Sequence, residues 1–570
     1  MPEELVKKLK KHCPDILVFM LLVAYFVFLM GYFQPAISTP DAQGYFAQAR
    51  LIATEGKTWL EPESSVQYIG PHWLHAGGNR YFTTFPPGLP AILAVPYKAF
   101  GPTAALLVNP LLACLSLLGL FLLCRLWLGG AWALLATALM AFNQVANEHA
   151  LIGDAHTAVA FFLIWALYFL TRWAKTNSPW WILGAGLFFG IIPAIRYVDA
   201  LFCLAFVAFV LLHFQNSQSF WRSFIAGMVG VAIPVGVLAI HNQVAFGAFW
   251  RTGYALSGEQ SAIGWQYFVN NWFSYLQQLM SEGCGLLFGL GLIGTAVLCA
   301  LPDTRKTGIL FALLIVPVTV AYMSYYWRPD PQSMRFLMPT FAVYTVAGVW
   351  LLQLLARNSR SVAWAGASVL LLITALTGLP PSVRALERLE SHNAVLAYVT
   401  GEIQKQVSSG SVLITNEAIS QQLDFIGQWR LVETSILNPG RARPSLVANG
   451  SSQGVRGRTE EGLKKYGNLN RQEIFAAFSE DVWRWVGDER RVYFIAAKEE
   501  IDYYQSQLSQ HDKLVRIAEI GVPTVQLSAT AGPRLPVRSP ALPQSTPIYD
   551  AIFDFRLNGV PLVIVEWIRD

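Results

Sequence analysis

Charged residues are scarce in this sequence. Asp, Glu, Lys and Arg make up 14% of its 570 residues, 54% of the residues are hydrophobic, and the mean hydropathy is +0.41. Soluble globular proteins carry about 25% charged residues. The deficit therefore argues against an ordinary soluble protein and predicts a chain that crosses a membrane many times. The net charge of +5 is small and gives no indication of nucleic-acid binding.

Cysteine is also sparse, and several common motifs are missing. The six cysteines lie in or beside apolar runs, and residues 385–570 contain none, so no disulfide framework is predicted. The sequence has no GxxxxGK phosphate loop, no GxGxxG after a strand, no HExxH and no GxSxG. These absences argue against an ATP-driven pump and against a nucleotide-dependent enzyme on the cytoplasmic side.

Long apolar runs, by contrast, recur as far as residue 379. About 20 apolar residues suffice for a helix to cross a bilayer. The first run follows a basic segment and has no small-residue cleavage site after it, so it is interpreted as a retained span rather than a signal peptide. The Pro-rich segment 87–100 is too short to span and is predicted to be interfacial or re-entrant. The eleven predicted spans are 16–35, 103–124, 128–143, 155–171, 180–195, 198–213, 223–241, 284–301, 307–325, 336–356 and 361–379.

The charges between the spans predict their orientation. With the N-terminus in the cytoplasm, every inner loop carries Lys or Arg, and Asp303 is the single acid in those loops. We expect a multi-pass protein of the plasma membrane, the inner membrane of a bacterium. The outer connections are then 38–102, 144–154, 196–199, 242–283 and 326–335.

The composition changes near residue 385. We predict a transmembrane module over 1–384, which includes the long first outer loop 38–102, and an extracytoplasmic α/β domain over 385–570. The fold class is thus an α-helical polytopic membrane protein of about 11 transmembrane helices with a C-terminal α/β domain. In that domain the sequence predicts helices at 391–407 and 498–509 and strands at 411–415, 491–496, 522–527 and 558–568.

Ionisable residues collect in the outer connections. Asp41 follows the first span in STPDAQGYFAQAR, Asp154 precedes a later span in NQVANEHALIGDAHTA, and Arg196 lies between two spans. Ionisable groups at membrane depth are functional candidates. The remaining candidates from these connections are Glu148, His149, His156, Arg328 and Arg335.

The order of short motifs along residues 10–380 resembles that of membrane glycosyltransferases of the GT-C class. This group holds the family 39-type protein O-mannosyltransferases and the aminoarabinose transferase of lipid A. The motifs are TPDAQGYFAQAR, YFTTFPPGLPAILAVPYKAFG, GDAHTAVAFFLIWALYFL, HNQVAFGAFWRTGY, EGCGLLFGLGLI and MRFLMPTFAVY. The resemblance implies transfer of a sugar from a polyprenyl-phosphate donor to an acceptor hydroxyl on the outer face, with inversion at the sugar.

The resemblance also implies roles for the outer residues. Asp41 is the expected base for the acceptor hydroxyl, and Asp154 is the second expected catalytic acid. The leaving phosphodiester needs charge stabilisation more than a general acid, which favours arginine. The candidates for binding the donor phosphate are Arg196, Arg335 and Arg328. The candidates for acceptor or metal contacts are Glu148, His149 and His156, and a divalent metal ion is an open alternative.

Structural explanations compete with these roles. Asp41 and Asp154 could each cap a helix, and Arg196 could simply pair with Asp199 across a helical turn. His72 and His75 are expected at the surface. A transporter or lipid flippase is the main rival function, and an inactive relative acting as a scaffold is a third. The acceptor could be a protein, a glycolipid or a polysaccharide.

Overall fold

The computed structural model describes residues 3–37, 39–214, 217–258, 262–327, 329–437, 457–467, 469–487, 490–523 and 559–569. The helices are α1 Glu3–Met30, α2 Pro40–Glu55, α3 Gly88–Phe100, α4 Pro102–Leu106, α5 Val108–Leu128, α6 Gly130–Ala141, α7 Gln144–Ile152, α8 Ala155–Thr176, α9 Pro179–Ile195, α10 Leu201–Leu212, α11 Gln218–Phe246, α12 Gly253–Ser257, α13 Trp265–Gln278, α14 Leu286–Ala300, α15 Arg305–Met323, α16 Met338–Leu355, α17 Arg360–Gln406, α18 Glu417–Ile426, α19 Glu460–Tyr466, α20 Arg471–Val486 and α21 Lys498–Gln507. The strands are β1 Trp59–Leu60, β2 Trp73–His75, β3 Tyr81–Thr83, β4 Val412–Thr415, β5 Arg430–Glu433, β6 Val492–Ala497, β7 Asp512–Ile520 and β8 Leu562–Arg569.

Every predicted span coincides with an apolar helix. Among the described residues, seven helices are long and apolar enough to cross a membrane, and the bent pair Trp265–Gly283 and Leu286–Ala300, at 114°, adds an eighth if it counts as one span. The three remaining predicted spans fall on the shorter apolar helices α6, α9 and Tyr197–Leu212. The polytopic helical class is confirmed, and the exact number of crossings stays a prediction.

The chain divides into two compact units. The first, the helical unit, comprises Met1–Phe33, Phe85–Leu89 and Leu107–Leu386, and the second, the mixed unit, comprises Gln34–Thr84, Pro90–Leu106 and Glu387–Asp570. This grouping differs from the predicted division, which placed the first outer loop with the transmembrane module. The segment 87–100, predicted to be interfacial or re-entrant, forms the helix α3.

In the helical unit, burial distinguishes central from peripheral helices. In α16, 83% of the most apolar 18-residue window is buried, against 22% for α11. The exposed side of α11 is apolar and includes Val237, Ile240 and Val244. Exposed aliphatic side chains along a span are expected to face lipid, because water would oppose their exposure.

Glycines let α9 and α11 approach closely. Gly186 and Gly190 form a GxxxG pair on α9. A Cβ atom at Gly186 would collide with the carbonyl of Gly227, and one at Gly190 would lie 2.7 Å from the carbonyl oxygen of Val231. Small residues allow this backbone approach in membrane helix pairs.

We expect Gly186→Ala to destabilise the helical unit by about 1 to 3 kcal/mol, because the two helices must separate to admit a methyl group. The melting temperature in detergent measures the effect. Gly236→Ala is the matched control, since a Cβ there meets nothing within 4 Å. Equal melting temperatures for the two variants would show that the close approach does not matter.

The mixed unit is built on a five-stranded sheet of order β5-β4-β6-β8-β7. Strand β4 is parallel to both β5 and β6, whereas β8 is antiparallel to β6 and β7. Alternate residues enter two hydrophobic clusters: Ile414 and Phe494 lie in one, and Leu413 and Ile495 lie in the other. Because side chains alternate across a strand, both faces of the sheet are covered.

The predicted C-terminal strands are largely confirmed. The runs 411–415, 491–496 and 558–568 overlap β4, β6 and β8, and the predicted helices 391–407 and 498–509 overlap α17 and α21. Residues 522–523 are not in a strand, and 524–527 of that predicted strand lie outside the described residues. Strands β5 and β7 were not predicted.

The first outer loop packs against the C-terminal residues within the mixed unit. The backbone N–H of Tyr68 donates to the carbonyl of Leu431 at 2.8 Å, and the Glu63 carboxylate pairs with Arg430 at 2.6 Å and with Arg490 at 2.9 Å. The loop also contributes the small antiparallel sheet β1-β3-β2. These contacts explain why the loop and residues 387–569 form one compact unit.

Candidate active site

Three of the predicted outer segments meet around one aromatic ring in the helical unit. The ring of Phe336 lies 5.7 Å from the imidazole of His156, 5.8 Å from the Arg196 guanidinium and 5.0 Å from the Arg335 guanidinium. Tyr322 stacks on the same ring at 4.9 Å. We call these five residues the Phe336 cluster. The structure thus gathers residues that are far apart in the sequence at one end of the helical unit.

Arg196 is fixed by the end of α9. It follows Ile195, the last residue of that helix, in an extended conformation, and a 3₁₀ turn over Tyr197–Ala200 comes next. Its guanidinium pairs with Asp199 at 2.9 Å and donates a hydrogen bond to the Tyr322 hydroxyl. The side chain of Asp199 is 0% exposed, so the predicted ion pair is present and buried.

Arg335 is held by a capped turn. The 3₁₀ helix Pro331–Phe336 begins at Asp330, whose carboxylate accepts from the Ser333 backbone N–H at 2.7 Å. Arg335 is 7% exposed although it carries a charge. A guanidinium kept from water interacts strongly with a nearby anion, because the local dielectric screening is weak. Arg328, the third predicted phosphate ligand, lies outside the described residues.

Asp154 caps a helix, as one of the two hypotheses predicted. Its carboxylate accepts from the backbone N–H of His156 at 3.1 Å and contacts Nδ1 of His149 at 2.5 Å. Its carbonyl accepts from the Asn109 amide at 2.8 Å. The carboxylate therefore fixes the start of α8 and orients His149. A direct catalytic role for Asp154 stays a prediction.

The predicted metal contacts lie beside this cap. His149 is buried on α7, Glu148 is half-buried on the same helix, and Nε2 of His156 is 3.9 Å from the Asp154 carboxylate. Within the part of the chain that the structure describes, no group of three or more His, Cys, Asp and Glu side chains could hold a metal ion. The Asp154 carboxylate already contacts His149 and accepts a hydrogen bond from the His156 backbone N–H, so these residues do not fit a metal site.

Asp41 belongs to the mixed unit and does not cap its helix. Helix α2 begins after Thr39, whose hydroxyl accepts from the Ala42 backbone N–H at 3.2 Å, so the hypothesis that Asp41 is the cap is wrong. Its carboxylate lies 3.2 Å from Nε2 of His72 and is 34% exposed. His72 is 13% exposed and therefore not the surface residue that was expected. His75 pairs with Glu460.

A second acid near α2 was not predicted. The Asp424 carboxylate accepts from the Gln43 amide at 2.6 Å and from Arg50 at 3.2 Å. Burial raises the pKa of Asp424, and the charge of Arg50 and the hydrogen bond of Gln43 oppose that rise. Gln43 and Arg50 both belong to the stretch STPDAQGYFAQAR. No local pattern links that stretch to residue 424.

Another acid, the half-buried Glu433, lies at the end of β5. Burial and the charge of Glu417 raise the pKa of Glu433 from its ordinary 4.5 to about 7, against the opposing effect of hydrogen bonds from Ser435 and the charge of Arg458. Between pH 4.5 and 7 the folded protein therefore binds a proton that the unfolded chain has released. The stability must fall as the pH rises through this window.

We expect Glu433→Gln to stabilise the protein at pH 8 by about 1 to 3 kcal/mol and to have little effect at pH 4.5, because glutamine stays neutral. Melting temperatures at the two pH values measure the difference. Glu480→Gln, at an exposed position on α20, is the control. If Glu433→Gln changed the melting temperature equally at both pH values, ionisation of Glu433 would not be the cause.

The sequence matches one protein-family model, and the structure is similar to solved membrane proteins. Residues 85–240 match the family model described as dolichyl-phosphate-mannose-protein mannosyltransferase. ArnT from Cupriavidus metallidurans bound to undecaprenyl phosphate has a TM-score of 0.54 at 12% identity, over 89% of this chain and 96% of that chain. The apo oligosaccharyltransferase of Archaeoglobus fulgidus has a TM-score of 0.50 at 13% identity, over 87% of this chain and 71% of that chain. No curated protein matches the sequence.

The fold is therefore that of the GT-C class of membrane glycosyltransferases. The resemblance to this class is confirmed by the fold and by the match of residues 85–240 to the mannosyltransferase family. The matched residues contain Asp154, His156 and Arg196.

Proposed function

We propose that this protein transfers a sugar from a polyprenyl-phosphate donor to an acceptor hydroxyl on the outer face of a bacterial plasma membrane. The observation that carries the proposal is the Phe336 cluster, in which two buried arginines and His156 surround one ring in a GT-C fold. The undecaprenyl phosphate bound by ArnT supports the lipid carrier. The positive charges of the predicted inner loops support a cytoplasmic N-terminus and an extracytoplasmic C-terminal region.

The arginines stabilise the leaving group in this proposal. As the bond between the anomeric carbon and the phosphate oxygen breaks, negative charge grows on the polyprenyl phosphate. Arg335 and Arg196 are fixed donors beside that charge and need no reorganisation when it forms. Arg196 already shares its charge with Asp199, so Arg335 is expected to contribute more.

The acceptor side of the reaction rests on Asp41. Its carboxylate takes the proton of the acceptor hydroxyl while the acceptor oxygen bonds to the anomeric carbon. One displacement inverts the configuration at that carbon. The assignment of Asp41 is supported by the sequence resemblance and by a half-exposed carboxylate next to His72.

The test is release of free polyprenyl phosphate by the purified protein, given a lipid-linked sugar and candidate acceptors. We expect release with wild type and a loss of at least about 100-fold in Asp41→Asn, since general-base catalysis contributes about 10² to 10⁴. Asp502→Asn, at an exposed position on α21, is the matched control. Full activity of Asp41→Asn at an unchanged melting temperature would exclude the base role.

The same preparation distinguishes the rival function. A transporter or flippase would move the lipid or its sugar across reconstituted vesicles without forming a glycosidic bond. Transport with no released polyprenyl phosphate would therefore overturn the proposed transfer reaction.

A further inference from the structure

A groove lies at the end of α16 opposite to the Phe336 cluster. It has a volume of about 520 Å³ and is formed by the turn between α5 and α6 and by the turn between α16 and α17. Helix α16 starts two residues after Phe336 and runs 18 residues to Leu355. At about 1.5 Å per residue, the groove is about 27 Å from the cluster along the helix axis. It is thus separate from the proposed active site.

The lining of the groove is cationic and aromatic. Arg357 and Arg360 line the groove. None of the described lining residues is an Asp or a Glu. Asp15 of α1 is paired with Arg125. Three tryptophans complete the wall: Trp132 stacks on Trp364 at 4.4 Å, and Trp127 stacks on Phe311 at 5.5 Å. Tryptophan favours the level of the lipid headgroups.

The backbone at the base of the groove also favours an anion, because one carbonyl is occupied and a helix N-terminus is uncapped. Gly129, with φ of 79°, turns the chain between α5 and α6, and Gln353 donates from its amide to the Leu128 carbonyl at 2.7 Å. This bond removes a carbonyl acceptor from the groove. No side chain caps the first turn of α6, whose N-terminus carries the positive end of the helix dipole.

We propose that this groove binds the phosphate of an anionic membrane lipid. Two guanidinium groups can hold phosphate oxygens through paired N–H donors, and the adjoining tryptophans suit the glycerol and upper acyl region. Exposed apolar residues flank the arginines: Leu355 is 54% exposed and Val362 is 70% exposed. This apolar border favours a lipid phosphate over free phosphate in solution.

Native mass spectrometry of the full chain tests the proposal. Protein in detergent is incubated with phosphatidylglycerol, phosphatidylcholine or inorganic phosphate, and the bound adducts are counted. We expect wild type to retain phosphatidylglycerol at least fivefold better than phosphatidylcholine. Arg357→Gln with Arg360→Gln should remove that preference. Arg305→Gln with Lys306→Gln is the matched control, because it removes two exposed cations at the start of α15.

Each outcome decides the proposal. The proposal is supported if the control variant with Arg305→Gln and Lys306→Gln retains phosphatidylglycerol and the groove variant with Arg357→Gln and Arg360→Gln loses it. If both double variants lose phosphatidylglycerol equally, the total positive charge of the protein, and not the groove, binds the lipid. Inorganic phosphate binding as well as phosphatidylglycerol would overturn the lipid as ligand. The variant with both Arg357→Gln and Arg360→Gln could have a lower melting temperature than wild type in the absence of lipid. In that case the single variant Arg360→Gln must retain less phosphatidylglycerol than wild type, or the proposal is overturned.

Discussion

Replacing Arg335 by alanine is expected to reduce the release of polyprenyl phosphate about 100- to 1,000-fold, which is the usual effect of removing one preorganised donor from a developing negative charge. Arg335 is 7% exposed and packs on Phe336, so its charge is held in a weakly screened site. A water molecule that replaces the guanidinium would have to reorient during the reaction. We expect the loss mainly in kcat, because the phosphate charge grows in the transition state.

Single-turnover measurements at saturating donor give the chemical step directly. Arg335→Lys should retain part of the rate, because lysine keeps the charge but cannot make paired hydrogen bonds. Arg222→Ala, an exposed arginine on α11, is the matched control and should have wild-type activity. An Arg335→Ala enzyme with unchanged kcat would remove Arg335 from the proposed mechanism.

Arg196→Gln is expected to destabilise the helical unit by about 3 to 5 kcal/mol, because it leaves the Asp199 carboxylate without its cation. The two charges are 2.9 Å apart, and the Asp199 side chain is 0% exposed. Water cannot reach this carboxylate to replace the lost partner. The substitution also breaks the hydrogen bond to the Tyr322 hydroxyl in the Phe336 cluster.

The double variant Arg196→Gln with Asp199→Asn separates the charge effect from the loss of packing. With both charges removed, we expect more than half of the lost stability to return. Thermal unfolding in detergent, followed by tryptophan fluorescence, compares the single and double variants. If the double variant is no more stable than Arg196→Gln, the buried pair is not what Arg196 contributes to stability.

The sequence predicted the helices of the membrane region well, because lipid imposes a simple rule. Each span must satisfy its backbone hydrogen bonds internally and must be apolar over most of its length. The segments 155–171 and 336–356 therefore coincide with α8 and α16. The mixed unit was harder to predict. The strand β5 has four residues, and its identity depends on pairing with β4.

The sequence named three residues of the Phe336 cluster as candidates, His156, Arg196 and Arg335, but it did not predict that they meet on one ring. Asp154, Arg196 and Arg335 stood out because ionisable groups are rare at the ends of spans. Phe336 did not stand out, since a phenylalanine at the start of a span is common and its role appears only when three segments meet on its ring. The hypothesis that Asp41 is a cap failed because Thr39, two residues earlier, already fills that position.

The mixed unit is discontinuous in sequence, and this determines when it can fold. Arg50 is held by Asp424, which follows 374 residues later in the chain. Ribosomes add about 5 to 20 residues per second. Tens of seconds therefore pass between the synthesis of residues 34–84 and the synthesis of the C-terminal residues that they contact. In the proposed orientation, the first outer loop must cross the membrane during that time and remain soluble without binding other chains. Secretion chaperones that protect exposed loops should therefore matter more for this protein than for one whose domains follow each other along the chain.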